Sequence, residues 1–222
     1  MRVLDLFAGL KGWSEPFAER GHTVCTVELL EKFKPTICGD ILSVTASQIE
    51  EALGGKPDII LASPPCTTFS MMTVGRNWTH DHQPRNEKAA LALKLVEKTR
   101  ALIDELSPRW FVIENPRAKL RKMPVMQDLG RGTTWYCMYG EKRAKPTDLF
   151  GVFPPSLVLR PMCKNGAKNP DGTPHHSPAP RGSYTGTQGM DSAESAKIPR
   201  ELALDFCLAA EKDLGGQDGQ IP

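Results

Sequence analysis

The sequence has little net charge, no long apolar run and no closely spaced pair of cysteines. Its 222 residues carry a formal net charge of +2, so composition alone does not mark a nucleic-acid binder. No apolar stretch is long enough to span a bilayer. The six cysteines (Cys25, Cys38, Cys66, Cys137, Cys163 and Cys207) are dispersed, with no Cys-x-x-Cys among them. The N-terminus runs directly into Val3-Leu4-Asp5-Leu6-Phe7, without the basic and apolar regions of a signal peptide. These absences predict a reduced, cytoplasmic protein without membrane contact, in which most cysteines are small buried hydrophobes. An exposed cysteine would then stand out.

What remains is the composition of an ordinary globular chain, 40% hydrophobic and 24% charged. The length suits one domain, or one domain with an attached lobe. Basic residues gather in the middle, at Arg117, Lys119, Arg121, Lys122, Lys142, Arg143 and Lys145, while Glu28, Glu31, Asp40, Glu50 and Glu51 balance them earlier. A one-sided basic face would bind backbone phosphates in a salt-dependent way. A mixed, solvated surface is the competing reading, and composition alone favours it.

Apolar patterning alternates strands with helices over the first part of the chain. Strands are expected at Arg2 to Phe7, Thr23 to Glu28, Thr36 to Cys38, Asp58 to Ser63 and Arg109 to Glu114. Helices are expected at Trp13 to Arg20, at Ser47 to Leu53, and after Asn86, which can cap a long one. This is the pattern of an α/β fold with a mostly parallel sheet. Ligands of such sheets collect at the carboxyl ends of the strands, which aligns Phe7 to Gly12, Glu28, Asp40, Cys66 and Glu114 on one edge. Thr133 to Tyr139 and Thr147 to Phe150 read as further strands. The expected organisation is a catalytic α/β domain over 1–150, a small irregular lobe over 151–194, a C-terminal helix within 195–214 and a tail over 215–222.

Two constellations on that edge carry chemistry. Asp5-Leu6-Phe7-Ala8-Gly9-Leu10-Lys11-Gly12 joins the first strand to the first helix, where glycine lets a ligand approach the backbone. Glu28 follows at the spacing of an acid that accepts bonds from ribose hydroxyls. Gly39-Asp40-Ile41 adds an acid able to bond an adenine amino group. Each piece alone has a plain structural reading, as a turn, a solvated acid or a cap. In the second constellation, Ser63-Pro64-Pro65-Cys66 ends a buried strand with two fixed φ angles, holding the cysteine stiffly at the sheet edge. Glu114-Asn115-Pro116 ends the next strand in the same way and places a carboxyl beside that thiol.

Asp5-Leu6-Phe7-Ala8-Gly9 with Gly12, Pro64-Pro65-Cys66 with Phe69-Ser70, and Glu114-Asn115 resemble the ordered motifs of the DNA (cytosine-5) methyltransferases. Ser195-Ala196-Lys197-Ile198-Pro199 with Leu202-Ala203 resembles the last motif of that family, which returns to the donor pocket. The compact chain is similar to solitary enzymes carried by phages and prophages. The resemblance implies a Rossmann-like S-adenosylmethionine-dependent methyltransferase fold with a small irregular recognition lobe. It implies S-adenosylmethionine as cofactor and S-adenosylhomocysteine as product, bound by Asp5, Phe7, Ala8, Gly9, Gly12, Glu28, Asp40, Ile41, Pro64, Ser195 and Ala196. It also implies Cys66 as a nucleophile for carbon 6 of a flipped cytosine, with Glu114 holding ring nitrogen 3. Arg143 or Lys145 would bind the base carbonyl or a phosphate and favour the thiolate.

The partner implied is double-stranded DNA in a bacterial or phage-infected cell, met by Ser70, Arg76, Asn115, Arg181 and Gln188, by a monomer or with a helper protein. Restriction-modification is one setting for such an enzyme. The sequence departs from the family at Thr67, where glutamine is usual, at Pro116, where valine is usual, and around Arg143 and Lys145, where Gln-x-Arg-x-Arg is usual. Two alternatives follow from these departures and from the chemistry, an RNA cytosine-5 methyltransferase and a catalytically weak nucleic-acid-binding module. Cys163, His175 and His176 are good zinc ligands, but their spacing matches no strong signature and a fourth ligand is missing, so no metal is expected.

Overall fold

The computed structural model describes residues 1–71, 73–164, 168–173, 175–176, 194 and 196–215. Seven strands form one sheet: β1 (Arg2–Leu6), β2 (Thr23–Glu28), β3 (Ile37–Cys38), β4 (Ile59–Ala62), β5 (Trp110–Pro116), β6 (Arg131–Trp135) and β7 (Pro146–Val152). Their order is β3-β2-β1-β4-β5-β7-β6. The first five pair in parallel, and β7 runs antiparallel between β5 and β6. The helices are α1 (Glu15–Glu19), α2 (Ala46–Leu53), α3 (Val74–Asn77), α4 (Glu87–Leu106) and α5 (Arg200–Gly215).

The central strands read as unbroken apolar runs because both their faces are covered. Leu4, Leu6, Ile60, Ala62, Phe111 and Ile113 face one core with residues of α2 and α4. Val3, Ile59, Leu61, Trp110 and Val112 alternate with them and face a second core with Trp13, Phe17 and the apolar side of α5. The result is a three-layer α/β sandwich. Among the described residues no helix is long and apolar enough to cross a membrane.

Most expected boundaries shift by a residue or two, and three of the changes bear on the site. The first helix is shorter than Trp13 to Arg20, because Gly9 to Ser14 form turns with positive φ at Gly9 and Lys11. The strand expected over Thr133 to Tyr139 stops at Trp135, and Tyr136–Tyr139 form a 3-10 turn ended by Gly140 at φ 85°. A continuing strand would have sent Tyr136 and Cys137 to opposite faces of the sheet. The turn instead buries both. Beyond the domain boundary expected at 150, β7 continues to Val152, and the chain after it stays on the domain. Phe153, Leu157 and Leu159 pack on the second core. Arg160 pairs with Glu201 and Asp205 of α5, and Ser156 bonds Asp213. The remainder of the expected lobe, 177–193, lies outside the described residues.

Asn86 caps α4 as expected, its Oδ1 accepting from Ala89 N at 2.9 Å. Its amide also donates to Arg76 O at 3.3 Å and Asn77 Oδ1 at 3.0 Å, tying α3 to the helix start. Asn86→Ala is expected to lower stability by about 1–2 kcal/mol, the usual cost of a lost cap. Urea denaturation of the two proteins checks this, and equal midpoints would remove the cap from the account.

Candidate active site

The carboxyl edge of the sheet opens into a cleft of about 820 Å³. Its floor is the turn after β1, where Phe7 and Gly9 adopt positive φ of 60° and 46°. Both oxygens of Glu28, at the end of β2, accept backbone N–H bonds, from Gly9 at 3.0 Å and Leu30 at 3.1 Å. Asp5 sits underneath, accepting from the Ser14 hydroxyl at 2.6 Å, and burial pushes its carboxyl up to about 7. Asp40 and Ile41 line the cleft beyond β3, and Asp40 also caps its own turn through Leu42 N. The exposed Leu29 and Leu30 give it an apolar wall.

Gly12 meets the C-terminal segment so closely that any side chain would collide. A Cβ there would lie 2.7 Å from Ile198 N and 2.8 Å from Ile198 O. Ala196, Lys197 and Ile198 thereby complete the cleft beside Phe7, Ala8, Gly9 and Gly12. Ser195 lies outside the described residues. Trp13 supports the same junction, its indole N–H donating to Ser63 Oγ at 3.0 Å.

Cys66 stands further along the same cleft, partly exposed, on the loop that follows β4. Glu114 is buried on β5 and accepts from the Tyr136 hydroxyl at 2.8 Å. Lys145 Nζ lies 3.8 Å from the same Glu114 oxygen and 4.4 Å from the centre of the Tyr136 ring. Burial pushes the Cys66 thiol up, the Glu114 charge pushes it further, and Lys145 pulls it back. Burial and Glu114 likewise hold the Tyr136 hydroxyl well above its ordinary range, so it remains a donor. Arg143 also lines the cleft and is bonded to Glu141 at 3.3 Å.

Several expected residues sit elsewhere. Asn115, expected at a nucleic-acid surface, is 1% exposed, and its amide donates to Pro64 O at 3.0 Å. It holds the loop that carries Cys66. Its own Oδ1 is buried without a hydrogen bond. Pro64, expected in the donor pocket, is buried behind the cleft, and Pro65 takes the lining position. The bond from Asn115 to the Pro64 carbonyl holds this residue against β5. Ser70 lines the cleft and bonds Thr73 at 3.0 Å, whereas Arg76 is exposed on α3 outside it. Arg181 and Gln188 lie outside the described residues.

The stretch from Thr67 to Arg85 is anchored more firmly than a plain loop. Phe69 and Trp78 are buried and stack 5.1 Å apart, and the Trp78 indole donates to Thr68 O. Sequence reading missed Tyr136 altogether. Its bond to Glu114 spans the β5–β6 connection, and a tyrosine at a strand end has no local mark of such a partner. Trp13, directly after Gly12, had the better signal, since a large side chain beside a glycine turn must pack against the edge it leaves.

A family model for the C-5 cytosine-specific DNA methylase domain matches residues 1–123. A probable DNA (cytosine-5)-methyltransferase of Frog virus 3 is 26% identical over 93% of this chain and all of its own length. The type II methyltransferase M.HgiGI of Herpetosiphon aurantiacus is 28% identical over 55% of the chain and 97% of its own length. M.HindV of Haemophilus influenzae is 26% identical over 58% of the chain, which spans 41% of that protein. Among solved structures, the Entamoeba histolytica methyltransferase EhMeth superposes with a TM-score of 0.51 at 13% identity, over 73% of this chain and 56% of its own. A putative DNA modification methyltransferase encoded within an Escherichia coli prophage gives 0.50 at 18% identity, over 73% and 52%. The chain thus spans about half the length of these solved proteins, which share its fold. With the family model covering more than half of it, the chain belongs to the C-5 cytosine-specific DNA methylases.

Proposed function

We propose that the chain transfers a methyl group from S-adenosylmethionine to carbon 5 of a flipped cytosine in double-stranded DNA, through a covalent bond to Cys66. The observation that carries this reading is that Cys66 and Lys145 line one cleft with the glycine turn, while the buried Glu114 lies against Lys145 and acts on the Cys66 thiol.

The cleft fits the donor. Its volume lies in the range of small-molecule sites. Phe7, Leu29, Leu30 and Ile41 offer apolar surface for a flat base. A carboxylate can accept about four hydrogen bonds; Glu28 gives two to the backbone and keeps capacity for ribose hydroxyls. Asp40 stands at the next strand end for an amino group. When bound, S-adenosylmethionine would supply an electrophilic methyl group.

Carbon 5 of cytosine is a weak nucleophile until a thiolate adds to carbon 6. Cys66 forms that bond, and Glu114 shares a proton with ring nitrogen 3 to take up the charge that develops in the ring. Tyr136 fixes the Glu114 carboxylate for this task by occupying Oε1. Lys145 offsets the upward push of burial and Glu114 on the thiol, and so favours the attacking form. Carbon 5 takes the methyl group, leaving S-adenosylhomocysteine. Loss of the carbon 5 proton to water then breaks the Cys66 bond and restores both the aromatic ring and the thiolate. Asn115 keeps the Cys66 loop in register through Pro64.

Three measurements test this reading. A duplex carrying 5-fluorocytosine, which cannot release its carbon 5 substituent, is expected to trap the wild-type chain covalently when S-adenosylmethionine is present. Cys66→Ser is expected to give no such band. No adduct in wild type, an equal adduct in the variant, or trapping on RNA alone would each overturn the proposal. Lys145→Gln is expected to move the pH at which iodoacetamide alkylates Cys66 upward, because the lysine charge that offsets burial and Glu114 is gone. Lys145→Arg keeps the charge and is expected to stay near wild type, by mass spectrometry of the Cys66 peptide. An unmoved midpoint in Lys145→Gln would take Lys145 out of the thiol's environment. Finally, Gly12→Ala must push Ile198 aside. Calorimetry should show S-adenosylhomocysteine binding weakened by about tenfold or more, roughly 1.4 kcal/mol.

A further inference from the structure

A second cluster of reactive side chains lies away from the cleft. Cys137 comes from the 3-10 turn after β6, Cys163 from the segment after β7, and His175 and His176 from further along that segment. One ligand atom from each of the four lies within 4.8 Å of every other. Cys163 Sγ is 3.5 Å from His175 Nδ1 and 3.7 Å from His176 Nδ1. Zinc–sulfur bonds of about 2.3 Å and zinc–nitrogen bonds of about 2.0–2.1 Å set tetrahedral ligand atoms roughly 3.3–3.8 Å apart. The two measured edges match that spacing.

Ordinary hydrogen bonding does not account for the arrangement. A thiol has one proton, yet Cys163 Sγ lies within reach of two imidazole nitrogens and of Lys164 O at 3.4 Å. Neighbouring residues of an extended chain point to opposite sides. Here the two adjacent histidines instead turn Nδ1 toward a single sulfur, with their rings 87° apart. Both thiols are buried while the imidazoles are half-buried, which closes the site on the protein side and leaves an entry path.

We propose that Cys137, Cys163, His175 and His176 bind one zinc ion in a tetrahedral, structural site. Two thiols lose their protons to solvent, two neutral imidazoles each give a lone pair, and the dication is exactly neutralised by the two thiolates. The sequence concealed this site because Cys137 lies on a different element, distant in sequence from the other three ligands, and supplies the fourth position that their spacing lacked. The ion would fasten the segment carrying Cys163, His175 and His176 to the turn whose first residue, Tyr136, bonds Glu114. It takes no part in methyl transfer, so the site stands or falls independently of the proposed activity.

The test uses the full chain, prepared reduced with zinc and passed over a chelating resin. Elemental analysis is expected to give one zinc per chain. Cobalt in its place is expected to show thiolate charge-transfer bands and the strong visible bands of tetrahedral geometry. Since Cys137→Ser and Cys163→Ser alter buried residues and can impair folding, His176→Ala provides the cleaner variant. It should keep the wild-type circular dichroism and lose zinc affinity by about tenfold or more in competition with a chelating dye. Substoichiometric metal in a folded, fully reduced wild-type chain would overturn the site. So would undiminished affinity in His176→Ala, or octahedral cobalt spectra.

Discussion

β4 is hydrogen-bonded in parallel to β1 on one side and β5 on the other, with Leu6, Ala62 and Ile113 in register. Parallel strands all point the same way, so three chain segments distant in sequence leave the sheet at one level. The glycine turn, the Cys66 loop and Glu114 are neighbours for that reason alone. The apolar residues on both faces fix the register, because a slip by one residue would exchange the two cores along the whole strand. The precision of the site is therefore a property of hydrophobic packing several residues away from it.

Electrostatics at this edge is a balance among few groups. A carboxylate beside a thiol opposes its ionisation, and burial opposes it again. Lys145 works in the other direction and also touches the carboxylate and the tyrosine ring. The antiparallel strand that follows Lys145 is itself tied down by an ion pair between the partly exposed Arg121 and the buried Asp148, to which Thr133 adds a bond. The two hydrogen bonds from Arg121 and the one from Thr133 offset the desolvation cost of burying the Asp148 carboxylate. Its position, next to Asn115 in the β5–β7 register, is consistent with holding that strand in place.

The parallel half of the fold was legible because its strands are apolar on both faces and end in recognisable punctuation. Pro64-Pro65, Asn115-Pro116 and the Asn86 cap each mark a boundary that local chemistry dictates. The thiol, the carboxylate and the glycine turn were legible for the same reason. Tyr136 was not, since its role comes from a strand that breaks into a turn at Trp135, four residues before the end that its β-rich composition suggests. Asn115 was misread because a polar side chain beside a catalytic-looking acid resembles a binding group, whereas its amide is used inward, on Pro64. The fourth member of the cysteine–histidine cluster was invisible until β6 and β7 folded back together.

The packing of Gly12 against Ile198 has a consequence for how the protein is made. The first turn of the chain acquires this wall only when α5 docks, held there by Glu19 with Arg200 and by Arg20 with Glu211. During synthesis the early strands can pair while that helix is still inside the ribosome. Nascent chains would then hold a sheet with an open donor cleft, and competence to grip a small molecule would arrive in one step once α5 has left the ribosome.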